Sequence, residues 1–340
     1  MSDYNIINIS KVNNNQLSDF YEKVFSERYK TLINHWKWWY RNNYLGFESL
    51  ALIKDKKVIG QAGLIPVKIE VKDKILPAIW FVDFAVLPEY HGKGYGKILT
   101  KEWMKICPNQ ITFCNKTSLK IFKSFGWKEN YSVKRLAKPI NPIKFLPLLK
   151  KFNNNFVSSI YKNFLRKNIK NVNSIKPYSI SNNYKILFES FNKKQKKNSI
   201  ILRDQDWLNW RVMECPFRNN IYFFEYEENF AVTHILVNKN IKRLHILYSY
   251  YLDQSKEENL IRLIYKWAID NSFDLIWANS NNKELIKSYE KVFSNKFSKT
   301  LNFASWSSND EVNQKLQFDS DDLQAIDSDN DTILLDDNYL

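Results

Sequence analysis

The stretch VDFAVLPEYHGKGYGKIL, residues 82–99, decides how this chain is interpreted. The chain has seven glycines, and three of them, Gly92, Gly94 and Gly96, fall within five residues. They follow the apolar run AIWFVDFAV and precede GKILTKEWMKI, whose apolar residues recur at helical spacing. The sequence therefore predicts a buried strand, a glycine turn and a helix that begins at the turn.

A glycine turn at the start of a helix can bind an anion. The first amides of a helix have no acceptor within the helix, and the helix dipole adds partial positive charge there. Glycine lets the main chain approach a ligand closely, so the turn can hold a phosphate or a pyrophosphate. Lys93 and Lys97 add positive charge at its rim.

Two common phosphate loops do not match this turn. A P-loop needs Gly-Lys-Ser/Thr after four spacer residues, and the chain lacks that pattern here. A dinucleotide fingerprint needs G-x-G-x-x-G at the start of a βαβ fold, whereas the spacing here is G-x-G-x-G. Residues 49–70 instead predict two antiparallel strands around a polar turn.

The elements after the turn indicate an α/β fold with a mixed sheet. QITFCN, residues 110–115, predicts a short strand. TSLKIFKSFG, residues 117–126, predicts a helix that Gly126 closes. The order is antiparallel strands, then strand–loop–helix, then strand–helix.

The second half of the chain repeats this order. Trp36 and Trp39 match Trp207 and Trp210 at the same spacing, and two later segments can also be aligned. The repeat favours an internal duplication. The second copy has DQSKEEN in place of PEYHGKGYG, so its acidic residues Glu257 and Glu258 would repel a phosphate. We predict domains at 1–140 and 177–306, a basic helical linker at 141–176 and an acidic tail at 307–340.

The charge distribution suggests an anionic partner. The net charge is +15, but residues 308–340 hold ten acids and one base, so the rest of the chain carries +24. A nucleotide cofactor, a nucleotide sugar, an anionic membrane or RNA would fit. Residues 141–176 contain eight Lys or Arg and no acid, and they predict a basic amphipathic helix. It is either a linker helix between the domains or a surface for anionic lipid or a lipid-linked substrate.

Cysteines, histidines and apolar runs indicate a cytoplasmic protein without a metal site. The three cysteines and four histidines have no metal-like spacing, and we expect reduced thiols. The first residues lack the layout of a signal peptide, and the longest apolar run is too short for a bilayer. The protein could also be peripheral to the inner face of the membrane through residues 141–176.

The glycine turn resembles motif A of the GNAT superfamily of acyl-CoA-dependent N-acyltransferases. Val86, Pro88 and HGKGYG fit the pattern V-x-P followed by Q/R-x-x-G-x-G/A, with His91 at the Gln/Arg position. Asn115 precedes Phe122 by seven residues, and FGW then closes the helix, as in a second motif of the family. The resemblance covers residues 20–135, and it extends to residues 200–305 only through the internal repeat.

The resemblance implies two GNAT-like domains and a site for acetyl-CoA or another acyl-CoA. Backbone groups of Phe84, Ala85 and Val86 would contact the pantetheine arm on a strand that splays from its neighbour. The amides of the turn would hold the pyrophosphate, and Asn115 would contact the arm near the thioester. The implied cofactor-binding set also includes Phe122, where the family has a Tyr that protonates the leaving thiolate. The turn residues of this set are His91, Gly92, Lys93, Gly94, Tyr95, Gly96 and Lys97.

Candidates for catalysis and acceptor binding are less specific. Asp83 is a carboxylate in an otherwise apolar strand and is a candidate general base, although a hydrogen-bonded structural Asp would give the same pattern. With strict alternation it would share a face with Ala85. Trp36, Trp39 and Tyr40 could form an aromatic wall for a sugar, or a core stripe that anchors a helix.

The leading hypothesis is an N-acyltransferase that acts on a small-molecule primary amine. Resemblance to tandem GNAT-like chains suggests an amino sugar of bacterial surface-polysaccharide assembly as the acceptor. A Fem-type peptidyltransferase that uses aminoacyl-tRNA is one alternative, although nucleic acid is not the expected partner because the pyrophosphate loop is intact. A cofactor-binding protein without activity is the other. The sequence leaves the acceptor, the acyl length and the oligomeric state open.

Overall fold

The computed structural model describes residues 4–26, 28–71, 74–145, 154–167, 175–179, 189, 201–238, 240–250, 254–293, 297–318 and 323–327. The chain divides into two compact units. The first contains Met1–Ser132, Asn198–Trp210 and Leu301–Asp321, and the second contains Val133–Lys197, Arg211–Thr300 and Asp322–Leu340. No helix in the described part of the chain is long and apolar enough to cross a bilayer.

The first unit is a mixed sheet with helices. Its strands are β1 (Asn5–Asn8), β2 (Leu50–Lys54), β3 (Lys57–Val71), β4 (Lys74–Val86) and β5 (Asn109–Cys114). Its helices are α1 (Asn14–Val24), α2 (Tyr29–Trp39), α3 (Tyr95–Met104) and α4 (Lys116–Ser124). Short 3₁₀ turns lie at Ile9–Lys11, Tyr44–Gly46 and Pro88–Tyr90. The predicted sequence of antiparallel strands, strand–loop–helix and strand–helix is confirmed.

The sheet of the first unit follows the order β1-β2-β3-β4-β5, and β12 (Phe297–Ser307) lies beyond β5. The pairs β1–β2, β2–β3 and β3–β4 are antiparallel, β4–β5 is parallel, and β5–β12 is antiparallel. The sheet is therefore mixed, as predicted.

Local signals set the helix ends in the first unit. The side chain of Asn13 accepts a hydrogen bond from the Asn15 amide at 2.8 Å and caps α1. Asn115 caps α4 in the same way, with the Ser118 amide at 2.8 Å. Gly126, just beyond α4, has φ +85°, which glycine adopts without strain. The predicted role of Gly126 at the end of the helix is confirmed.

The second unit has the same order of elements. Strands β6 (Lys128–Pro139), β7 (Tyr178–Ser179), β8 (Ile221–Tyr226), β9 (Asn229–Asn238), β10 (Ile241–Tyr250) and β11 (Leu275–Ser280) follow one another along the chain. Both β6 and β12 have residues in each unit. The sheet order in the second unit is β6-β11-β10-β9-β8-β7, and β10–β11 is its parallel pair.

Helices of the second unit cover one face of its sheet. They are α5 (Asn154–Lys167), α7 (Gln254–Asp270) and α8 (Lys283–Val292), and their buried side chains pack with residues such as Leu244 and Ile276. Glu257 and Glu258 are the fourth and fifth residues of α7, the helix that follows β10 along the chain. Glu257 is buried and accepts a hydrogen bond from Ser288, while Glu258 is paired with Lys291.

The remaining helical segments lie near residues 201–218 and 310–327. They are α6 (Gln205–Leu208), a π-helical turn at Asn209–Met213, 3₁₀ turns at Pro142–Phe145, Arg218–Asn220 and Ala325–Asp327, and α9 (Asp310–Phe318). In the predicted acidic tail, α9 belongs to the first unit and the turn at Ala325–Asp327 to the second. Gln324 exchanges hydrogen bonds with the backbone of Ser249, so this part of the tail is folded. Residues 319–322 and 328–340 of the tail lie outside the described residues.

Candidate cofactor site

Strands β4 and β5 separate at the centre of the first unit. They pair only where Ile79 meets Gln110 and Trp80 meets Ile111, although β4 continues to Val86. The Thr112 hydroxyl donates to the Phe81 carbonyl at 2.8 Å, in place of a backbone bond between the strands. Beyond it, the edge of β4 that faces β5 has no strand partner among the described residues, which leaves backbone groups for a ligand.

A β-bulge lies where the strands separate. The register of the β3–β4 pair shifts between Gln61 and Gly63, so β4 has an extra residue at this point. Asp83 has φ +47°, in the left-handed region that Asp tolerates better than most residues. The side chains of β4 therefore do not alternate strictly at the bulge. The prediction that Asp83 shares a face with Ala85 assumed strict alternation.

The glycine turn leads directly into the start of α3. Gly92 and Gly94 have φ +75° and +84°, and a Cβ atom at either position would point into open space. Gly94 caps α3, no side chain caps the helix, and its first turn contains no acid. The first intrahelical bond is donated by Ile98 to the Gly94 carbonyl. The amides before it have no acceptor within the helix, which is the arrangement that suits an anion.

A cavity of about 500 Å³ lies against this turn. The predicted cofactor residues that line it come from the end of β4 and from the turn: Phe84, Ala85, Val86, His91, Gly92, Gly94, Tyr95 and Gly96. Lys23 and Val24, at the end of α1, line it as well. No motif points to α1, because it comes some 60 residues earlier in the chain.

His91, which stands where the family motif has Gln or Arg, helps to hold the turn in shape. Its Nε2 lies 2.8 Å from the Val86 carbonyl oxygen, so the ring closes the turn onto the end of β4. A Gln or Arg could reach a phosphate from this position, whereas His91 uses one nitrogen for the backbone. The Lys93 ammonium lies 5.1 Å from the centre of the Tyr90 ring. Lys93 and Lys97 do not line the cavity.

Asp83 binds other protein groups instead of facing the cavity. Its carboxylate is paired with Arg28 and is 3% exposed. It accepts hydrogen bonds from Trp39 Nε1 at 2.9 Å and from the Tyr40 hydroxyl at 3.1 Å. Three donors of the protein therefore contact this carboxylate. Asp83 thus ties the start and the end of α2 to the bulge.

The predicted aromatic wall is part of the core. Trp36, Trp39 and Tyr40 are at most 5% exposed, and none of them lines the cavity. Burial raises the pKa of Tyr40 well above its usual range, so its hydroxyl stays protonated and can donate to Asp83. Gly63 leaves room for the Tyr40 ring, because a Cβ there would lie 2.9 Å from Tyr40 Cε1. The core-stripe interpretation agrees with this placement.

The second motif occupies a different environment from the first. Phe122 is 5% exposed and packs 5.4 Å from Phe81 and 4.8 Å from Trp127, measured between ring centres. It does not line the cavity, so the structure separates it from the other predicted cofactor residues. Asn115 is exposed, and its side-chain oxygen caps α4.

Two of the three thiols are poor nucleophiles at neutral pH. All three cysteines are free. Burial raises the pKa of Cys107 to about 11 and that of Cys114 to about 12. At neutral pH these two side chains are therefore thiols and not thiolates.

A family model agrees with the geometry of the first unit. The acetyltransferase (GNAT) domain model matches residues 5–129. The match identifies residues 5–129 as a GNAT-type domain, and the resemblance of the glycine turn to this family is confirmed at this level. The protein is an acyltransferase that uses an acyl-CoA donor.

Solved structures share the fold of this chain. A GCN5-related N-acetyltransferase from Anabaena variabilis has a TM-score of 0.56 at 12% identity, covering 90% of this chain and 73% of its own. Saccharomyces cerevisiae N-myristoyltransferase with bound myristoyl-CoA has a TM-score of 0.60 at 12% identity, covering 90% and 79%. A GCN5-related N-acetyltransferase from Kribbella flavida has a TM-score of 0.54 at 10% identity, covering 89% of this chain and 71% of its own. A sequence search of curated proteins gave no significant match.

Proposed function

We propose that this GNAT chain transfers an acyl group from acyl-CoA to a primary amine of a small molecule, at the cavity beside α3. The main observation behind this proposal is that three features lie together. They are the cavity, the start of α3, which has no side-chain cap, and the unpaired edge of β4. Each feature suits one part of the donor. The helix start suits a diphosphate, and the strand edge suits the amides of a pantetheine arm.

In the proposed reaction, the turn, the end of β4 and Asp83 each have a separate role. Amides at Gly94, Tyr95 and Gly96 hold the diphosphate, and His91 keeps the turn closed through its bond to the Val86 carbonyl. Backbone groups of residues 84–86 position the arm, which would bring the thioester to the bulge. Asp83 positions the bulge and α2 through its contacts with Arg28, Trp39 and Tyr40. The bound amine attacks the thioester carbonyl, which strand amides polarise, and proximity supplies much of the rate. The carbon–nitrogen bond forms as the carbon–sulfur bond breaks, CoA leaves as its thiolate, and the amine proton passes to solvent.

Calorimetric titration with acetyl-CoA tests the donor site, using Gly94→Glu as the disruptive variant. A Glu at this position adds a negative charge beside the diphosphate. We expect affinity to fall by about tenfold or more, the equivalent of about 1.4 kcal/mol. Intact protein that does not bind acetyl-CoA would refute the proposal.

Gly46→Glu is the matched control. Gly46 also has a positive φ, +76°, and open space around its Cβ position, but it does not line the cavity. Both variants therefore carry the same new charge and a similar backbone strain, of about 1–2 kcal/mol. Equal loss of affinity in the two variants would show that strain or net charge, rather than the turn, controls binding.

The acceptor is proposed at the level of a primary amine, and an amino sugar of surface-polysaccharide assembly is the first class to test. The buried state of Trp36 and Trp39 removes one argument for a sugar wall, so the sugar rests on resemblance alone. Thiol release from acetyl-CoA should be followed with amino sugars, amino acids and polyamines. Release with any amine would exclude a binding protein without activity, the second alternative.

Aminoacyl-tRNA is the alternative donor. The positive charge of the chain outside its tail would favour RNA. RNA binding with a steep dependence on salt, together with no affinity for acetyl-CoA, would support a Fem-type reaction over the proposed one.

A repeat of the first domain is proposed for the second unit, on the basis of the shared element order. Its helix α5 is also proposed to contact an anionic membrane or a lipid-linked substrate. Ile160 and Phe164, one turn apart, are 54% and 57% exposed, while Leu165 packs into the core of the unit. Lys162 and Arg166 lie on the same helix, which is the pattern of an interfacial helix.

Vesicle flotation tests the membrane contact. The protein should float with vesicles that contain phosphatidylserine and not with pure phosphatidylcholine. Phe164→Glu should abolish flotation, whereas Phe297→Glu should not, because Phe297 is 67% exposed in the same unit but lies outside α5. Equal flotation of both variants with anionic vesicles would refute a role for α5.

A further inference from the structure

Aromatic rings fill one face of the sheet where β4 and β5 separate. The Phe81 ring centre lies 4.2 Å from that of Trp103 and 5.4 Å from that of Phe122. Phe122 in turn packs 4.8 Å from Trp127, and all four side chains are at most 5% exposed. Because protein interiors of this kind are close-packed, they leave little space for an additional chain.

Aromatic rings fill the opposite face as well. Trp80, the neighbour of Phe81, points to this side because successive residues of a strand alternate. Its ring centre lies 4.9 Å from that of Phe113 and 5.7 Å from that of Phe303. Trp80 and Phe303 are 0% exposed. The separated strands are therefore enclosed by aromatic side chains on both sides.

Phe84 forms the boundary between these rings and the cavity. It is 38% exposed, lines the cavity and lies 5.2 Å from the Phe81 ring centre. A Cβ atom on Gly96 would lie 3.5 Å from its Cζ atom, so the ring fits between β4 and the first turn of α3. A group that enters from the cavity meets Phe84 before it reaches the buried rings.

We infer that the acyl group carried by the donor is short, acetyl or of similar size, and that Phe84 limits its length. The inference rests on the proposed acyl-CoA function. A donor with its diphosphate at α3 and its arm along residues 84–86 brings its acyl group to the separated strands. There a long acyl chain would find Phe84, Phe81 and Trp80 instead of an open apolar channel, and would have to remain in water.

Calorimetric titration with acetyl-CoA and octanoyl-CoA measures how affinity depends on acyl length, and it does not require turnover. A chain buried in an apolar channel gains roughly fourfold in affinity for each methylene, on the order of a thousandfold for octanoyl over acetyl. For the wild-type protein we expect the two affinities to agree within about threefold, because the added methylenes bury little surface. Octanoyl-CoA that binds about a hundredfold more tightly would overturn the inference.

Phe84→Ala tests the residue, and Ile75→Ala is its control. Truncation of Phe84 opens space next to the cavity, so the ratio of octanoyl to acetyl affinity should rise by about tenfold or more. Ile75 lies on the same strand, is 59% exposed and does not line the cavity, so its variant should keep the wild-type ratio. If Phe84→Ala leaves the ratio of octanoyl to acetyl affinity unchanged, Phe84 does not limit the acyl length.

Failure of the inference differs from failure of the proposed function. A protein that binds both thioesters, but octanoyl-CoA far more tightly, is an acyl-CoA enzyme with a long-chain channel. A protein that binds neither thioester refutes the donor site, and the inference with it.

Discussion

Two buried histidines should make the stability of the second unit depend on pH. His234 on β9 and His245 on β10 are register partners, and they are 1% and 0% exposed. No hydrogen-bond partner is found for any of their ring nitrogens among the described residues. Burial, followed by the charge of Arg211, lowers the pKa of His234 to about 3. Burial, followed by the charge of Arg135, lowers the pKa of His245 well below its usual range.

The direction of the effect follows from these pKa values. In the unfolded chain each imidazole has a pKa of about 6.5, so at pH 5 the unfolded chain takes up protons that the folded chain does not. The free energy of unfolding is therefore unaffected well above pH 6.5 and falls as the pH drops below it. At pH 5 each histidine lowers it by about 2 kcal/mol, and the pair by about 4 kcal/mol.

Urea unfolding at pH 7.5 and pH 5.0 measures the effect. The comparison is between the wild-type protein and the double variant His234→Phe, His245→Phe. Carboxylates and the two other histidines titrate in both proteins, so they cancel when the two pH-dependent losses are compared. The double variant should lose about 4 kcal/mol less between the two pH values. An equal loss in both proteins would refute the reasoning, whatever their absolute stabilities.

Two substitutions test how the bulge is held in the first unit. Asp83→Asn removes the negative charge that pairs with Arg28 and should lower the free energy of unfolding by about 3 kcal/mol, measured by urea unfolding. A loss below about 1 kcal/mol would mean that the pair is not an anchor. Gly63→Ala puts a methyl group 2.7 Å from the Val82 carbonyl oxygen and 2.9 Å from the Tyr40 ring. It should cost about 1–3 kcal/mol, and an unchanged midpoint would contradict the close packing.

The sequence predicts the elements of the first unit well because their signals are local. The apolar run of β4, the glycines of the turn and the helical spacing of α3 lie within about 30 residues of one another. Asn115 and Gly126 mark the two ends of α4 through their own side chain and backbone. Each signal acts on neighbouring residues, so it needs no knowledge of the fold.

Features that depend on distant residues were not predictable in this way. The bulge at Asp83 requires the register of β3, and the carboxylate is satisfied by Arg28, 55 residues earlier. Trp38 and Trp210 exchange indole-to-carbonyl hydrogen bonds across 172 residues, both at 2.8 Å. Such contacts explain why the tryptophans of α2 are structural, although their pattern alone would also suit a ligand.

The two units differ in more than the glycine turn. In the second unit β10 and β11 are paired over residues 243–246, whereas β4 and β5 of the first unit are paired only over residues 79–80. Both units have a register shift in the strand before the connecting helix, at residues 246–248 and 83. Beyond its last pair with β11, β10 continues to Tyr250, and there the side chain of Gln324 exchanges hydrogen bonds with the Ser249 backbone. The sequence HGKGYG at the start of α7 would therefore add a glycine turn, but Gln324 would still occupy the edge of β10 beside it.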